Sequence, residues 1–204
     1  MYPPLTRIEP YYTPIFLYQD VISEEECIQL RNYCDQQEYL PSVLGSENSL
    51  NYSINQNILE DFTDLKEYFE GLVQNVSVNA IKQVTEGFEI KQSWITKTLS
   101  GGASPFHSHK NYYMAGVLYL QDNNQLIVEN PWQNLSAFAF EPIEQTAFNC
   151  LNSVITMPSR SILLMPAHLK HQVPPWQGTD VRYSITMNIH PVGTYGVPSA
   201  FITV

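Results

Sequence analysis

The 204-residue chain is poor in basic residues and has no long apolar segment. Lys and Arg total ten against twenty Asp and Glu, which gives a formal net charge of −10 at pH 7. Proteins that bind the nucleic-acid backbone carry a basic face, so this balance argues against nucleic acid as the main partner. No run approaches the length of a membrane span, and residues 1–10 lack the apolar core of a secretory signal. We therefore expect a cytoplasmic protein that makes no membrane contact.

Cysteine is also scarce. The three cysteines, Cys27, Cys34 and Cys150, form no CxxC pair, so neither a disulfide framework nor a zinc ribbon is indicated. We expect all three thiols to be reduced and buried. The composition is otherwise that of a folded chain, with 44% hydrophobic and 15% charged residues, and the length predicts a single domain over residues 1–204.

Histidine is concentrated in two clusters, which contain four of the five histidines. His107 and His109 precede an apolar run at 114–120, and His168 and His171 follow another such run. Histidine is more often a surface or core residue than a ligand, but this clustering favours a metal site. Because alternate residues of an extended chain point to the same side, both imidazoles of the first pair can face one point. The two clusters can meet if the strands that carry them are neighbours in one barrel.

Two helices are predicted before a region rich in strands. Ser23 and Glu26 match a capping box, which indicates a helix running to about Gln37. Apolar residues at three- and four-residue spacing indicate a second helix from about Asp64, which should pack against a sheet. It is predicted to end near Gly87, where glycine suits a C-cap.

Strands are predicted from residue 88 onward. The segment 88–99 is rich in β-forming residues, and Gly101 and Gly102 then turn the chain. An edge strand within 7–18 and a loop or hairpin at 39–52 are also expected. The further strands are predicted at 114–120, 125–129, 154–156, 161–165 and 181–189. This order predicts an α+β fold, with helical support over about 20–87 and a β-sandwich or barrel core over about 88–190.

The strand predicted at 181–189 has one polar face. That face consists of Arg182, Ser184, Thr186 and Asn188. Under ordinary alternation these side chains face solvent, while the residues between them form the core. Alternatively they line a carboxylate pocket, because the planar guanidinium fork of arginine suits a carboxylate. The pattern by itself leaves both interpretations open.

Several segments resemble the iron(II)/2-oxoglutarate-dependent oxygenases. The segments are WITKTLSGGASPFHSH, AGVLYL, SILLMPAHLKHQVPPW and RYSITMNI, which together lie within about 92–189. They are similar to small oxygenase-like proteins of phages and bacteria and, more distantly, to prolyl hydroxylases. The resemblance implies a double-stranded β-helix, or jelly-roll, core. It also implies a hydroxylase that couples oxidative decarboxylation of 2-oxoglutarate, with oxygen, to oxidation of a substrate.

The same resemblance implies roles for individual residues. His107 and His171 would be ligands of iron(II), and no catalytic side chain beyond the metal ligands is implied. The distal carboxylate of 2-oxoglutarate would be held by Arg182, Tyr119 and Thr186. Ser184 occupies the second position of the RxS pattern found in other branches of the superfamily.

His109 departs from the family pattern, since most of the superfamily has an aspartate there. Two histidines and one carboxylate form the facial triad that leaves positions open for co-substrate and oxygen. The third ligand here is therefore His109, a carboxylate such as Asp122 or Glu129, or a water. We favour His109, because it lies on the same side of the chain as His107. His168 is expected beside the ligands or at the surface.

The sequence leaves the substrate open. A small molecule or a protein side chain is expected, and the insertion at 130–148 is a candidate for substrate choice. The oligomeric state also stays open, with a homodimer as one alternative. If the protein is encoded by a phage, it is expected to act in the host cytoplasm. Two other functions stay open: a metal-binding jelly-roll protein without turnover, and a cupin-like three-histidine dioxygenase that needs no 2-oxoglutarate. Arg182 separates these alternatives, because only the oxygenase needs it to bind the keto acid.

Overall fold

The protein is built mainly of β-strands. Its computed structural model describes residues 13–43, 49–83, 85–131, 141, 143–144, 146, 149–197 and 199–203. The helices are α1 (Glu24–Asp35) and α2 (Thr63–Asn75), with a 3₁₀ turn (Ile58–Asp61) before α2 and a π-helical turn (Val76–Ile81) after it. The strands are β1 (Phe16–Tyr18), β2 (Tyr39–Pro41), β3 (Leu50–Ser53), β4 (Gly87–Thr98), β5 (Ser104–His107), β6 (Met114–Tyr119), β7 (Asn124–Glu129), β8 (Asn152–Met157), β9 (Ser161–Pro166), β10 (His171–Val173), β11 (Arg182–Val192), β12 (Thr194–Val197) and β13 (Ala200–Thr203).

The strands form two main antiparallel sheets. The larger sheet has seven strands in the order β1-β9-β6-β11-β4-β3-β2, and the smaller has four in the order β5-β10-β7-β8. A separate hairpin pairs β12 with β13. β11 is the central strand of the larger sheet, between β4 and β6. Both edges of β11 are therefore hydrogen bonded to neighbouring strands.

The helices cover one face of the larger sheet. Ser23 caps α1 as predicted: its hydroxyl oxygen accepts from the Glu26 N–H at 3.2 Å, and the Glu26 carboxylate accepts from the Ser23 N–H at 2.7 Å. Buried residues of both helices form one cluster with the apolar face of β11. Its members include Cys27, Leu30, Cys34, Phe69, Val73, Tyr183, Ile185, Met187 and Ile189. The predicted packing of helices on a sheet is confirmed.

A second buried cluster lies between the two sheets. β6 and β9 supply one side of this cluster, and β7 and β8 supply the other. Its members include Ala115, Val117, Tyr119, Leu126, Val128, Met157, Leu163 and Met165. Val117, Tyr119 and Leu126 also line a cavity that contains the clustered histidines. The cavity therefore opens from the layer between the sheets.

The end of the second helix differs from the prediction. α2 ends at Asn75, and the π-helical turn that follows is closed by Lys82, whose φ of 65° is left-handed. Gly87 is not a C-cap but the first residue of β4, where it pairs with Val192. The apolar spacing continues beyond Asn75 to Val76, so the sequence pattern gives no sign of the change from α-helical to π-helical hydrogen bonding.

The other predicted elements are largely present. The strands expected from residue 88 onward all form, and β1 is an edge strand within 7–18. The segment 39–52 forms the hairpin β2–β3, apart from 44–48, which lies outside the described residues. Most of the insertion at 130–148 also lies outside them. Cys150 is only half-buried, contrary to expectation, whereas the other two thiols are buried. In the described part of the chain no helix is long and apolar enough to cross a membrane.

Candidate metal centre

Three histidines converge at the edge of the smaller sheet. His107 ends β5 and His171 begins β10, and these two residues are direct partners in the antiparallel pairing of the strands. Their ring centroids lie 4.4 Å apart. The two sequence clusters therefore meet, and the apolar strands beside them, β6 and β9, are neighbours in the larger sheet as expected. His171 itself differs from the prediction, because it lies on a short strand of its own in the smaller sheet. That strand has only three residues, too few to show a periodic pattern.

His109 completes the cluster from the segment that follows β5. Its backbone N–H donates to the Ala167 carbonyl oxygen at 2.8 Å, which holds this segment beside the start of β10. The His109 ring centroid lies 5.5 Å from that of His107 and 5.3 Å from that of His171. One nitrogen from each of the three rings lies within 4.8 Å of the others. These nitrogens are close enough to bind a single metal ion.

Backbone carbonyls orient two of the rings. The Nδ1 atom of His107 lies 2.8 Å from the Pro105 carbonyl oxygen, and that of His171 lies 2.8 Å from the Leu169 carbonyl oxygen. A carbonyl oxygen can only accept, so in both rings Nδ1 carries the proton. The unprotonated Nε2 atom is then free to bind a metal ion, and such a bond at Nδ1 is usual for histidine ligands.

A side chain orients the third ring. The Nδ1 atom of His109 lies 2.6 Å from Oδ1 of Asn188, and the indole of Trp94 stacks on the ring at a centroid distance of 6.0 Å. Burial lowers the pKa of His109. Burial, with a smaller contribution from His107, lowers the pKa of His171 to about 3. At neutral pH His109 and His171 are therefore neutral imidazoles, the form that binds metal ions.

The carboxylates considered as alternative ligands have other partners. Asp122 accepts from the Ser159 N–H at 2.8 Å, and Glu129 pairs with Lys170 at 3.3 Å. Within the described ranges the cluster contains no Asp or Glu. His168 is exposed and lies outside the cluster. Imidazole nitrogen suits iron, nickel, copper and zinc, so the donor set fits iron(II), although it brings no negative charge.

One cavity contains the histidine cluster and all four residues expected to bind 2-oxoglutarate. Arg182, Ser184 and Thr186 come from β11, and Tyr119 comes from β6, where it pairs with Ser184. All four line the cavity together with the three histidines. Arg182 and Thr186 are buried, as is Asn188 farther along the same face. This face of β11 is turned into the protein and not towards solvent, which excludes the simple alternation considered above.

Arg182 is a buried cation that has no carboxylate partner among the residues that the structure describes. Its side chain is 6% exposed, Nη2 donates to Thr98 Oγ1 at 3.3 Å, and the guanidinium lies 5.2 Å from the ring centre of Trp176. Among the ion pairs of the described residues none involves Arg182. Leaving a buried charge unpaired costs several kcal/mol, on the order of the penalty for removing an ion from water. The position is therefore suited to an anion bound in the cavity.

Some residues of the site had no assigned role in the sequence. Thr98 contacts Arg182 because β4 and β11 pair these two residues directly, and Gln92 contacts Asn188 for the same reason. Trp94 and Trp176 reach the site from different segments. The relevant signal is the register of β4 against β11, and no local pattern of the sequence gives that register.

Comparisons with known proteins agree with this geometry. Residues 92–188 match the model of the family described as "Putative 2OG-Fe(II) oxygenase". No curated protein shows significant similarity to the chain. Three similar solved structures come from different organisms, and at identities of 11–13% the likeness shows the fold alone.

The first of these structures is HygX from Streptomyces hygroscopicus with nickel, 2-oxoglutarate and hygromycin B bound, which is 11% identical with a TM-score of 0.60 over 88% of this chain and 83% of that chain. A prolyl-4-hydroxylase from Pseudomonas putida is 12% identical, with a TM-score of 0.61 over 89% and 94%. A prolyl hydroxylase from Trichoplax adhaerens, in complex with a peptide fragment, is 13% identical, with a TM-score of 0.57 over 86% and 83%. Residues 92–188 thus match the iron(II)- and 2-oxoglutarate-dependent oxygenases, a family of enzymes that use iron(II), 2-oxoglutarate and oxygen.

Proposed function

We propose that the protein is a hydroxylase that acts on a small molecule or a protein side chain. The observation that carries the proposal is the composition of one cavity: three clustered imidazoles and a buried guanidinium that no carboxylate of the described ranges pairs with. We further propose that the chain is one domain whose two packed sheets form a double-stranded β-helix. The core between the sheets and the similar folds of known oxygenases support this architecture.

His107, His109 and His171 would hold the iron. Since Nδ1 of each ring is hydrogen bonded to an oxygen that accepts, each ring would offer Nε2 to the metal. Bound iron(II) would supply the redox chemistry that converts 2-oxoglutarate and oxygen to succinate and carbon dioxide while the substrate gains a hydroxyl group. The three imidazoles add no charge, so the site keeps the full positive charge of the ion for an anionic co-substrate.

Arg182 would bind the distal carboxylate of 2-oxoglutarate, which would supply the missing counter-charge. Tyr119, Thr186 and Ser184 line the cavity near it and would donate hydroxyl hydrogen bonds. Burial raises the pKa of Tyr119, so its phenol stays protonated at neutral pH and can donate. The charge-assisted bonds of a planar guanidinium are among the strongest that a protein offers to a carboxylate.

Apolar side chains would keep bulk water from the co-substrate. The lining of the cavity also includes the apolar residues Leu50, Val117, Leu126 and Val173. These residues come from strands of both sheets. In such surroundings the bond between a carboxylate and Arg182 is screened less than in water, which favours one fixed orientation of the keto acid.

The substrate class rests on charge and on analogy. HygX holds hygromycin B and the Trichoplax enzyme holds a peptide fragment, so related folds accept both a small molecule and a polypeptide. The net charge of −10 disfavours a nucleic-acid backbone. The proposal therefore keeps small molecules and protein side chains as substrates. A cytoplasmic location and a homodimer are further expectations.

An anaerobic titration tests the proposed function. Iron(II) and then 2-oxoglutarate are added to the metal-free protein, and the weak visible absorption of a chelated keto acid is followed. We expect the band in the wild type and in His168→Ala, which alters an exposed histidine outside the cluster, and its loss in His107→Ala and Arg182→Ala. Iron binding without the band would overturn the proposal and favour a three-histidine dioxygenase that does not use 2-oxoglutarate. Absence of iron binding would overturn the metal site itself.

A further inference from the structure

Three carboxamide side chains form a hydrogen-bonded chain that ends on His109. Nδ1 of His109 lies 2.6 Å from Oδ1 of Asn188, whose Nδ2 donates to Oε1 of Gln92 at 2.9 Å. Nε2 of Gln92 donates to Oε1 of Gln56 at 3.2 Å, and Nε2 of Gln56 donates to the Ser53 carbonyl oxygen at 2.6 Å. This series of hydrogen bonds thus runs from the end of β3, through β4, to the central strand β11.

The direction of every bond in this chain follows from its far end. The Ser53 carbonyl can only accept, so the amide nitrogen of Gln56 must face it and the amide oxygen must face Gln92. The same reasoning orients Gln92 and then Asn188, which is left with its oxygen towards His109.

His109 differs from the other two histidines in the kind of group that accepts the hydrogen bond from its Nδ1. His107 and His171 are held by the backbone carbonyls of Pro105 and Leu169, which no side-chain substitution removes. His109 is held by a side chain, and Asn188 is only 5% exposed, so little water can take its place as acceptor. An aspartate at position 109, the residue of most of the superfamily, would need no such control because both of its oxygens can bind a metal.

We propose that the chain Gln56–Gln92–Asn188 sets the tautomer of His109, keeping the proton on Nδ1 and leaving Nε2 for the metal. Asn188, Gln92 and Gln56 are then positioning residues that act through His109. The relevance to iron rests on the proposed function, but the tautomer is a property of the metal-free protein. It can therefore be measured without metal, keto acid or substrate.

Nitrogen NMR of the metal-free protein, labelled with ¹⁵N-histidine, tests the proposal. Long-range correlations from the ring protons distinguish a protonated Nδ1 from a protonated Nε2. We expect Nδ1–H for all three clustered histidines in the wild type. In Asn188→Leu, which is similar in size but cannot accept, His109 should shift towards Nε2–H while His107 and His171 keep Nδ1–H. The two unchanged rings also report that the site is still folded.

Substitutions of Gln92, which precedes Asn188 in the hydrogen-bonded series, test the direction of its hydrogen bonds. A carboxylate in Gln92→Glu still accepts from the Asn188 amide, so His109 should keep Nδ1–H. Gln92→Met cannot accept, so Asn188 loses its orientation and His109 should populate both tautomers. Asn124→Leu is the matched control, because it removes another buried carboxamide that does not line the cavity and should leave His109 unchanged. An unchanged His109 tautomer in Asn188→Leu would overturn the proposal, as would equal effects of Gln92→Glu and Gln92→Met.

A metal titration separates this inference from the proposed function. With nickel(II), Asn188→Leu should bind about 10- to 100-fold more weakly than the wild type, the usual effect of losing the partner of a histidine ligand. If the tautomer responds as expected but the wild type gives no keto-acid band, the proposed function fails and the inference stands. If the band is present and the tautomer does not respond, the inference fails and the function stands.

Discussion

Arg182 combines two roles that make opposite demands on stability. As part of the fold it is a desolvated charge, held by Thr98 and by the face of Trp176 but by no carboxylate among the described residues. As part of the site it is pre-positioned for an anion. Residues that gain their partner only when a ligand binds are a common reason for active sites to be less stable than they could be. The cost falls on the free protein and is recovered when the anion binds.

The first prediction follows from this cost. In the absence of metal and keto acid, Arg182→Met should leave the free energy of unfolding unchanged or raise it, because an apolar side chain replaces an unpaired buried charge. Urea denaturation of the apo-protein measures the effect. Arg160→Met is the control: Arg160 pairs with Asp20 at 2.7 Å near the surface, and its loss should cost no more than about 1 kcal/mol. A loss of several kcal/mol in Arg182→Met would show that the guanidinium is a structural residue instead.

The histidine pattern and the polar face of β11 could be read from the sequence, because spacing along one strand decides which side chains share a side. The partners of those residues could not. Asn188 faces Gln92, and Arg182 faces Thr98, only because β4 and β11 pair in one particular register. Moving the register by one residue would turn every side chain to the other face, and no short segment specifies that choice.

Among the helices and strands, the elements with a local signature were predicted well. The capping box of α1 depends only on Ser23 and Glu26, which lie three residues apart at the start of a helical segment, so it can be predicted locally. β10 has no such signature. Its three residues are held by pairing with β5 on one side and β7 on the other, so that its existence depends on strands distant in sequence.

The capping box supports a second prediction. Ser23→Ala should lower the free energy of unfolding by about 1 kcal/mol, because the Glu26 N–H loses its acceptor at the start of α1. Ser23→Asn should restore most of this loss, since asparagine is an equally good cap. Urea denaturation of the three proteins measures the difference. Ser100→Ala, in an exposed turn, controls for the loss of a serine and should change stability by less than about 0.5 kcal/mol. Equal effects of Ser23→Ala and Ser23→Asn would contradict the capping role.

The residues proposed to bind the metal and the keto acid lie on both sheets of the molecule. His107 and His171 lie on strands of the smaller sheet, whereas Arg182, Thr186 and Tyr119 lie on strands of the larger one. A metal ion and a keto acid bound in the same cavity would therefore connect the two layers across their shared core. Neither sheet presents both sets of groups alone, so binding requires both sheets in their folded arrangement.

Ligand-induced stabilisation gives the last prediction. A ligand that binds only the folded protein adds about 2.7 kcal/mol at 100 times its dissociation constant, and for a chain of this length each kcal/mol raises Tm by about 2–4 °C. Nickel(II), which avoids oxidation in air, should raise Tm by itself. Nickel(II) and 2-oxoglutarate together should raise Tm by more than the sum of their separate effects, because the keto acid needs the metal at one end and Arg182 at the other.

Three variants divide this effect between the two ends of the cavity. Arg182→Met should keep the increase in Tm due to nickel(II) and lose the further increase due to 2-oxoglutarate. His107→Ala should lose both increases, since the keto acid has no metal to chelate, and His168→Ala should lose neither. Thermal unfolding followed by circular dichroism measures all of these shifts. If 2-oxoglutarate stabilised Arg182→Met as much as the wild type, the keto acid would be bound elsewhere, and the link between the two sheets through Arg182 would be wrong.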